Sequence, residues 1–453
     1  MRWLPCTSLW RGLGYDGGRA PLQLHTRRLP SKQLIFTTQQ QMINITRLWC
    51  GAEQPADHIR YGLGHGSHAP QASTAACSPT SSRTRKPIVV WNITRTCNLR
   101  CVHCYADSHA QQYPGELTRE QCYAVIDDLA DYKVNALLLS GGEPLLHPHL
   151  PEILEHATER GLKVTISTNG TRITKEYAEL FKKLGVAYVG ISLDGIGAVH
   201  DSFRGVQGAF DGAIRGFKHC ENAGQKTGLR LTLTRNNVQS MEEILNFIER
   251  EGIQRVCFYH LVPTGRGVDV AGLHPEEARA ALDMLIARAE KWHRNGETRE
   301  LLTVTQPADG IYILLKQLKE GNPLAAQTLK LLSWNGGGAN SSGRGIANID
   351  TQGNIHPDQF WQSVTLGNVK TQKFSEVWEA SSAPSAAELQ KLRGAENPLE
   401  RQKLLSGRCA TCKHFALCGG GFRTRAAFAN GHWFGSDPGC YLSDDEIHTE
   451  IQL

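Results

Sequence analysis

Three cysteines at C-x3-C-x2-C spacing, Cys97, Cys101 and Cys104, follow directly on the run Ile88-Val89-Val90-Trp91-Asn92-Ile93-Thr94. A short β-branched run of this kind reads as a buried strand. The three thiols therefore sit in a tight loop at a strand end. A cubane iron–sulfur cluster takes one cysteine for each of its irons. Three thiolates on one loop leave the fourth iron open to another ligand. A zinc loop is the alternative, although zinc sites usually pair one C-x2-C with a second.

From Ile88 onward, β-branched runs alternate with amphipathic stretches. The pattern predicts strands over 135–139, 163–167, 187–193, 227–234 and 254–260, and helices over 118–132, 149–160, 174–184, 209–223 and 239–250. Six strand–helix units of this kind predict a parallel sheet with right-handed crossovers. They are too few for a closed eight-fold barrel, so the expected fold is α/β, a partial, curved (β/α)6 barrel.

Ligands bind at the C-terminal strand ends of such sheets, and polar or glycine motifs fall there. Ser140-Gly141-Gly142-Glu143-Pro144 comes about 37 residues after Cys104. Its glycines allow close backbone approach to a ligand, its carbonyls suit an ammonium group, and Glu143 adds negative charge. Ser167 and Asn169 in Ser167-Thr168-Asn169-Gly170, and Ser192 and Asp194 in Ser192-Leu193-Asp194-Gly195, end the next two strands. Their hydroxyl, amide and carboxylate groups suit a ribose or an amino-acid carboxylate edge. Taken singly, each motif reads as turn chemistry.

After Gly267 the rhythm changes. Helices are expected over 275–294 and 308–319, then a glycine-rich loop from Trp334 to Gly345, then a hairpin of Ile346–Asp350 and Asn354–His356. A second thiol group closes the chain: Cys409, Cys412 and Cys418 at C-x2-C-x5-C, and Cys440 after 21 intervening residues. Four cysteines suit zinc or an iron–sulfur cluster equally. The expected divisions are an N-terminal extension and linker over 1–86, a core over 87–300 and a cysteine-rich domain over 301–453.

Seven of the 13 cysteines belong to these two groups. No signal peptide is expected from the sequence, and a reducing cytoplasm is expected to suit them better than a secreted disulfide scaffold. The net charge of +5 over 453 residues comes without a Lys/Arg run, which argues against nucleic acid as a partner. No apolar stretch is long enough to span a membrane. Residues 1–41 hold five arginines and one lysine against one acid, with no periodicity, and are expected to be disordered.

The triplet followed by Gly141-Gly142-Glu143-Pro144 resembles the radical S-adenosylmethionine (SAM) enzymes. That resemblance implies a [4Fe–4S] cluster on Cys97, Cys101 and Cys104. Its open iron chelates SAM, and reduction cleaves SAM to a 5′-deoxyadenosyl radical. It also implies SAM contacts at Gly141, Gly142, Glu143, Pro144, Ser167, Asn169, Ser192 and Asp194. Arg230 and the stretch His260–Gly267 fall where the family binds the SAM carboxylate or adenine, and His103 occupies a usually aromatic position near the adenine. The C-terminal cysteines resemble the SPASM and twitch extensions, which hold auxiliary [4Fe–4S] clusters. There Asp358 stands where such extensions often carry a cysteine, which makes it a candidate ligand.

Segments Trp91–Cys97, Tyr188–Gly195, Ala308–Gly310, Ala347–Asp350, His356–Trp361 and Asp437–Leu442 look like the NirJ-type enzymes of heme d1 biosynthesis. They look equally like the AhbC-type enzymes of the siroheme-dependent heme route. Residues 42–61 favour the AhbC type, and Asn348–Asp350 with His356–Asp358 the NirJ type. Either resemblance implies a tetrapyrrole substrate, 12,18-didecarboxysiroheme, and an electron donor such as ferredoxin or flavodoxin. The NirJ type removes two propionates and leads to heme d1; the AhbC type removes two acetates and gives iron-coproporphyrin III. Heme d1 is the narrow preference. Arg204, Arg266 and Arg344 are candidates for the substrate's carboxylates, and His260 or His356 for its iron. A peptide-modifying SPASM maturase is a further alternative. Removing residues 1–41 is expected to leave iron content, SAM cleavage and melting temperature unchanged, as read by iron assay, chromatography and calorimetry.

Overall fold

The computed structural model describes residues 42–54, 57, 86–335, 342–380, 387–394 and 398–451. The expectations for residues 1–41, for most of the linker and for the middle of the glycine-rich loop lie outside the described residues.

Six strands lie side by side, parallel and in chain order: β2 Ile88–Thr94, β3 Ala136–Gly141, β4 Val164–Thr168, β5 Tyr188–Ser192, β6 Thr227–Leu233 and β7 Arg255–His260. They are the expected six units. Helices cover the strands as crossovers, so β2 is buried at all but its first residue. Helix Arg119–Asp131 shows why each crossover forms. A capping box between Thr118 and Gln121 starts it, and Cys122, Val125, Ile126 and Leu129 line its buried face.

The sheet continues past this core on both sides. Strand β8, Glu300–Val304, joins β7 in parallel, and β1, Met42–Asn44, pairs antiparallel with β8. On the other side β9, Ile346–Ile349, runs parallel to β2, and β10 (Asn354–His356) and β11 (Gly367–Asn368) follow antiparallel. β1 and β11 are the two edges among the described residues, so the sheet stays open. The division expected at residue 300 falls on the first residue of β8.

Several α-helices are not expected from the sequence, three of them ahead of β9 among the described residues. Ile45–Cys50 is a single buried turn and a half, capped by Asn44 and closed by Gly51 at φ 71°. It packs on helix Pro275–Arg294 and ties to β8 through Thr46 Oγ1 on Arg299 O at 2.8 Å. Ala325–Asn335 precedes the glycine-rich loop. Ala198–Arg204 has only seven residues, and its polar, mixed composition shows no periodicity. It nevertheless carries Arg204 to the cysteine loop. No helix among the described residues is long and apolar enough to cross a membrane.

Candidate active site

The cysteine loop leaves the C-terminal end of β2 and is held by main-chain bonds. Cys97 N donates to His109 O at 3.0 Å, Arg100 N to Arg204 O at 2.9 Å and Val102 N to Phe203 O at 3.0 Å. All three sulfurs face donors. Leu99 N approaches Cys97 Sγ at 3.4 Å, Arg204 Nη1 approaches Cys101 Sγ at 3.4 Å and Ser108 N approaches Cys104 Sγ at 3.5 Å. Burial, with the Glu143 charge behind it, pushes the Cys97 thiol up to about 12, and burial raises that of Cys101. Thiols so placed ionise when a metal centre supplies positive charge. The donor set, three sulfurs on one loop each facing an N–H, therefore fits an iron–sulfur cluster.

Gly141 and Gly142 do allow a close approach, but the backbone they admit is the chain's own. A Cβ at Gly142 would lie 2.3 Å from Thr96 O and 2.5 Å from Arg95 O, and one at Gly141 would lie 2.3 Å from Thr94 O. Gly142 N and Glu143 N donate to Thr94 O and Thr96 O at 2.7 and 2.9 Å, which welds the end of β3 to the cysteine loop. Gly142→Ala therefore meets rigid main chain. We expect it to cost about 3 kcal/mol and to lower iron loading, as read by denaturant melts and iron assay.

Glu143 is buried behind these glycines. Its Oε1 accepts from Leu145 N at 3.1 Å and Thr168 Oγ1 at 2.7 Å, and its Oε2 from Asn169 N at 2.8 Å. Asn169 Nδ2 reaches Asn98 Oδ1 at 3.0 Å. Asp194 is buried too. Its Oδ1 accepts from Thr232 N at 2.7 Å and its Oδ2 pairs with Arg204. Burial pushes the Asp194 carboxyl up, but the Arg204 guanidinium, the His103 and His200 rings and the Thr232 N–H together hold it below the usual range.

A cavity of about 160 Å³ brings Cys97, Cys101, Cys104, Gly141, Gly142, Ser167, Asn169 and Ser192 together, with His103, Arg230 and His260. Glu143, Pro144 and Asp194 do not line it. Tyr105, Tyr259, Gln359 and Phe360, none of them singled out as a site residue from the sequence, also line it. Tyr105 directly follows the last cysteine. Its hydroxyl bonds Asn92 Oδ1 at 3.1 Å and meets Ser140 Oγ at 3.2 Å. Its ring meets the Phe360 edge with centroids 5.3 Å apart.

A second, larger cavity of about 960 Å³ adjoins the first, and Tyr105 and Phe360 line both. Tyr113, Trp361, Phe428 and Trp433 give it an aromatic lining. Arg95 lies on its wall, stacked 4.7 Å from the Tyr113 ring centroid and anchored by Nε on Ala106 O at 3.1 Å.

Several sequence candidates have other duties. Arg204 is spent on Asp194 and Cys101. Arg266 binds Cys101 O at 2.9 Å and Asp107 Oδ1 at 2.8 Å, clamping the cysteine loop. Arg344 lines neither cavity. His356 uses both ring nitrogens, on Val364 O at 2.8 Å and Asp350 Oδ2 at 3.3 Å, so it is unavailable to an iron. His260 lines the smaller cavity with Nε2 on Asp309 Oδ2 at 3.1 Å.

The C-terminal thiols converge from three short segments. Cys409, Cys412, Cys418 and Cys440 line one void with Phe415 and Ile447. Burial raises the Cys412 and Cys418 thiols, and pushes Cys440 up to about 11. Among the described residues no three Cys, His, Asp or Glu groups close on a single-ion point. Four thiols lining one void are a donor set that fits an iron–sulfur cluster or a zinc ion. Asp358 does not line this void. Its Oδ1 accepts from Phe360 N and Trp361 N at 2.8 and 3.0 Å, and its Oδ2 from Thr424 Oγ1 at 3.0 Å. It holds the loop that carries Phe360 and Trp361, so the ligand role expected for it is not supported.

A family model described as the Radical SAM superfamily matches residues 91–248. The Fe-coproporphyrin III synthase of Methanosarcina barkeri is 43% identical over 411 residues, 90% of this chain and 99% of that protein. The pre-heme d1 synthase of Dinoroseobacter shibae is 42% identical over 377 residues, 82% of this chain and 90% of that protein. Among solved structures, Streptococcus suis SuiB bound to S-adenosylmethionine superposes with a TM-score of 0.60 at 15% identity, covering 79% of this chain and 78% of that one. With the three thiols at the end of β2 and the glycine motif welded beside them, these matches show that the chain belongs to the radical SAM superfamily.

Proposed function

We propose that this enzyme removes two carboxylate-bearing side chains from a siroheme-derived macrocycle, 12,18-didecarboxysiroheme, on the route to heme d1. The observation that carries the proposal is the aromatic cavity beside the cysteine loop. At about 960 Å³ it stands at the upper end of the roughly 300–1,000 Å³ common for ligand sites. Flat rings stack on aromatic faces, and Arg95, whose Nη2 also pairs with Asp107 Oδ2 at 3.4 Å, puts a cation on the cavity wall within reach of a side-chain carboxylate. A cluster on Cys97, Cys101 and Cys104 with SAM beside it supplies a carbon radical able to take hydrogen from an unactivated C–H bond. The chain's part is to aim the substrate and to keep water out, with Tyr105 and Phe360 standing between the two cavities.

The second reading, removal of acetates to give iron-coproporphyrin III, draws on the 43% identity over 90% of the chain. The thiols Cys409, Cys412, Cys418 and Cys440 hold an auxiliary [4Fe–4S] cluster. Reducing equivalents come from a donor of the ferredoxin or flavodoxin class, and the working compartment is the cytoplasm.

Phe428 tests the cavity assignment without disturbing the core, because it lines the cavity and is 55% exposed. Phe428→Ala is expected to weaken tetrapyrrole binding by about tenfold, roughly 1.4 kcal/mol, with melting temperature unchanged. An absorbance titration with 12,18-didecarboxysiroheme reads this; unchanged affinity would place the macrocycle elsewhere. For the auxiliary site, Cys409→Ala/Cys412→Ala is expected to keep SAM cleavage and lose product. Metal analysis of the parent protein showing zinc and only about four irons would overturn that assignment.

A further inference from the structure

We propose that Arg204 sets the reduction potential of the SAM-binding cluster by placing a buried positive charge on the ligand sulfur of Cys101. This rests on the radical SAM assignment and holds whatever the substrate.

The placement is built, not incidental. Helix Ala198–Arg204 ends against the cysteine loop, where Phe203 O and Arg204 O accept from Val102 N and Arg100 N at 3.0 and 2.9 Å. Phe203 also packs on the His103 ring, with centroids 4.7 Å apart. The next residue, Gly205, has φ 68°, and a Cβ there would lie 2.5 Å from Arg100 O. The chain thus turns away and leaves the Arg204 side chain to fold back. Its Nη1 then stands 3.4 Å from Cys101 Sγ, and its Nη2 pairs with Asp194.

The other half of the device is Asp194. One carboxylate oxygen is fixed by Thr232 N at 2.7 Å, and Asn237 Nδ2 holds the Asp194 carbonyl at 3.1 Å. Residue Thr232 belongs to β6, so the sheet itself sets where the guanidinium points. Arg204 and Asp194 side chains are 8% and 1% exposed, so solvent screens their charges little.

The arrangement exceeds what anchoring needs. Main-chain bonds already hold the loop to the helix, and the same guanidinium could have spent both arms on Asp194. Instead one arm goes to sulfur. Iron–sulfur potentials rise with positive charge and with hydrogen bonds to the cysteine sulfurs, because the reduced cluster carries one more negative charge. Arg204 supplies both. It acts through Cys101 and is therefore a positioning residue.

The test is EPR-monitored potentiometry on reconstituted protein. The SAM-binding cluster is identified as the one whose signal changes when SAM is added. Arg204→Gln, which keeps a donor and loses the charge, is expected to lower its midpoint potential and leave the other cluster's unchanged. Arg204→Lys is expected to recover most of the shift. Where Arg204→Gln does not load iron, Arg204→Gln/Asp194→Asn removes the unpaired buried carboxylate. It should still shift downward, since the guanidinium lies against the sulfur and the carboxylate stands behind it. A loaded Gln variant with an unchanged or raised midpoint would overturn the proposal. Loss of SAM-responsive EPR signal in the wild-type protein itself would instead overturn the cluster assignment beneath it.

Discussion

Alanine at Cys97, Cys101 or Cys104 is expected to reduce 5′-deoxyadenosine formation to background while the protein still folds. The thiols are the only sulfur donors lining the cavity at the end of β2 among the described residues. The sulfurs accept only weak, long bonds at 3.4–3.5 Å, so the loop that carries them keeps most of its anchors without any one of them. Its hold on the rest of the chain runs through main-chain bonds of Cys97, Arg100 and Val102, and through the Arg266 clamp on Cys101 O. Truncating a buried thiol to a methyl group costs little volume, so a stability loss of about 1 kcal/mol is expected. Chromatographic assay of 5′-deoxyadenosine with a parallel melt checks both halves. Undiminished product from any one variant would remove that cysteine from the ligand set.

Asp437→Ala is expected to cost about 3–5 kcal/mol, the largest stability effect foreseen. Asp437 is buried beside Arg425, with Oδ1 to Nε at 2.6 Å and Oδ2 to Nη2 at 2.8 Å. Its oxygens also accept from Phe422 N at 2.6 Å and Gly439 N at 2.9 Å, just ahead of Cys440. Arg425 in turn donates to Thr305 O at 3.1 Å and Leu261 O at 3.4 Å. This one pair therefore joins the cysteine-rich segment to the loops after β7 and β8. Removing the carboxylate leaves a buried guanidinium without its counter-charge.

The pair also has a pH signature. Burial pushes the Asp437 carboxyl up, but Arg425 outweighs it and holds the carboxyl below the usual range. A depressed carboxyl contributes stability that is present above its unfolded pKa of about 3.9. The contribution is lost as pH falls through the lower folded value. In denaturant melts, the gap between wild type and Asp437→Asn should be flat from about pH 5 to 8 and close below about pH 4.

The parallel core was legible because each crossover buries one face of an amphipathic helix on a β-branched strand, and both periods are written into residues 118–260. What lay outside the periods was not. Helix Ala198–Arg204 is short and polar. β1 has three residues, and its place was set by pairing with β8 from the far end of the core. The cysteines and the glycine motif could be read locally, because spacing within one loop carries their chemistry. The duties of Glu143, Asp194 and Arg204 could not. They depend on which strand ends the fold brings together, and here Asp194 meets Thr232 while Arg204 meets Cys101. The same holds for Phe360 and Trp361, which reach the cavity because Asp358 ties their loop to Thr424.

The direct test of the central claim is an anaerobic turnover of the holoenzyme with 12,18-didecarboxysiroheme, SAM and a low-potential reductant, with tetrapyrrole products read by mass. The account predicts 5′-deoxyadenosine together with a macrocycle that has lost two propionate side chains; loss of two acetates instead would select the iron-coproporphyrin III reading. SAM cleavage with the macrocycle returned intact would contradict tetrapyrrole side-chain removal and turn attention to a peptide substrate.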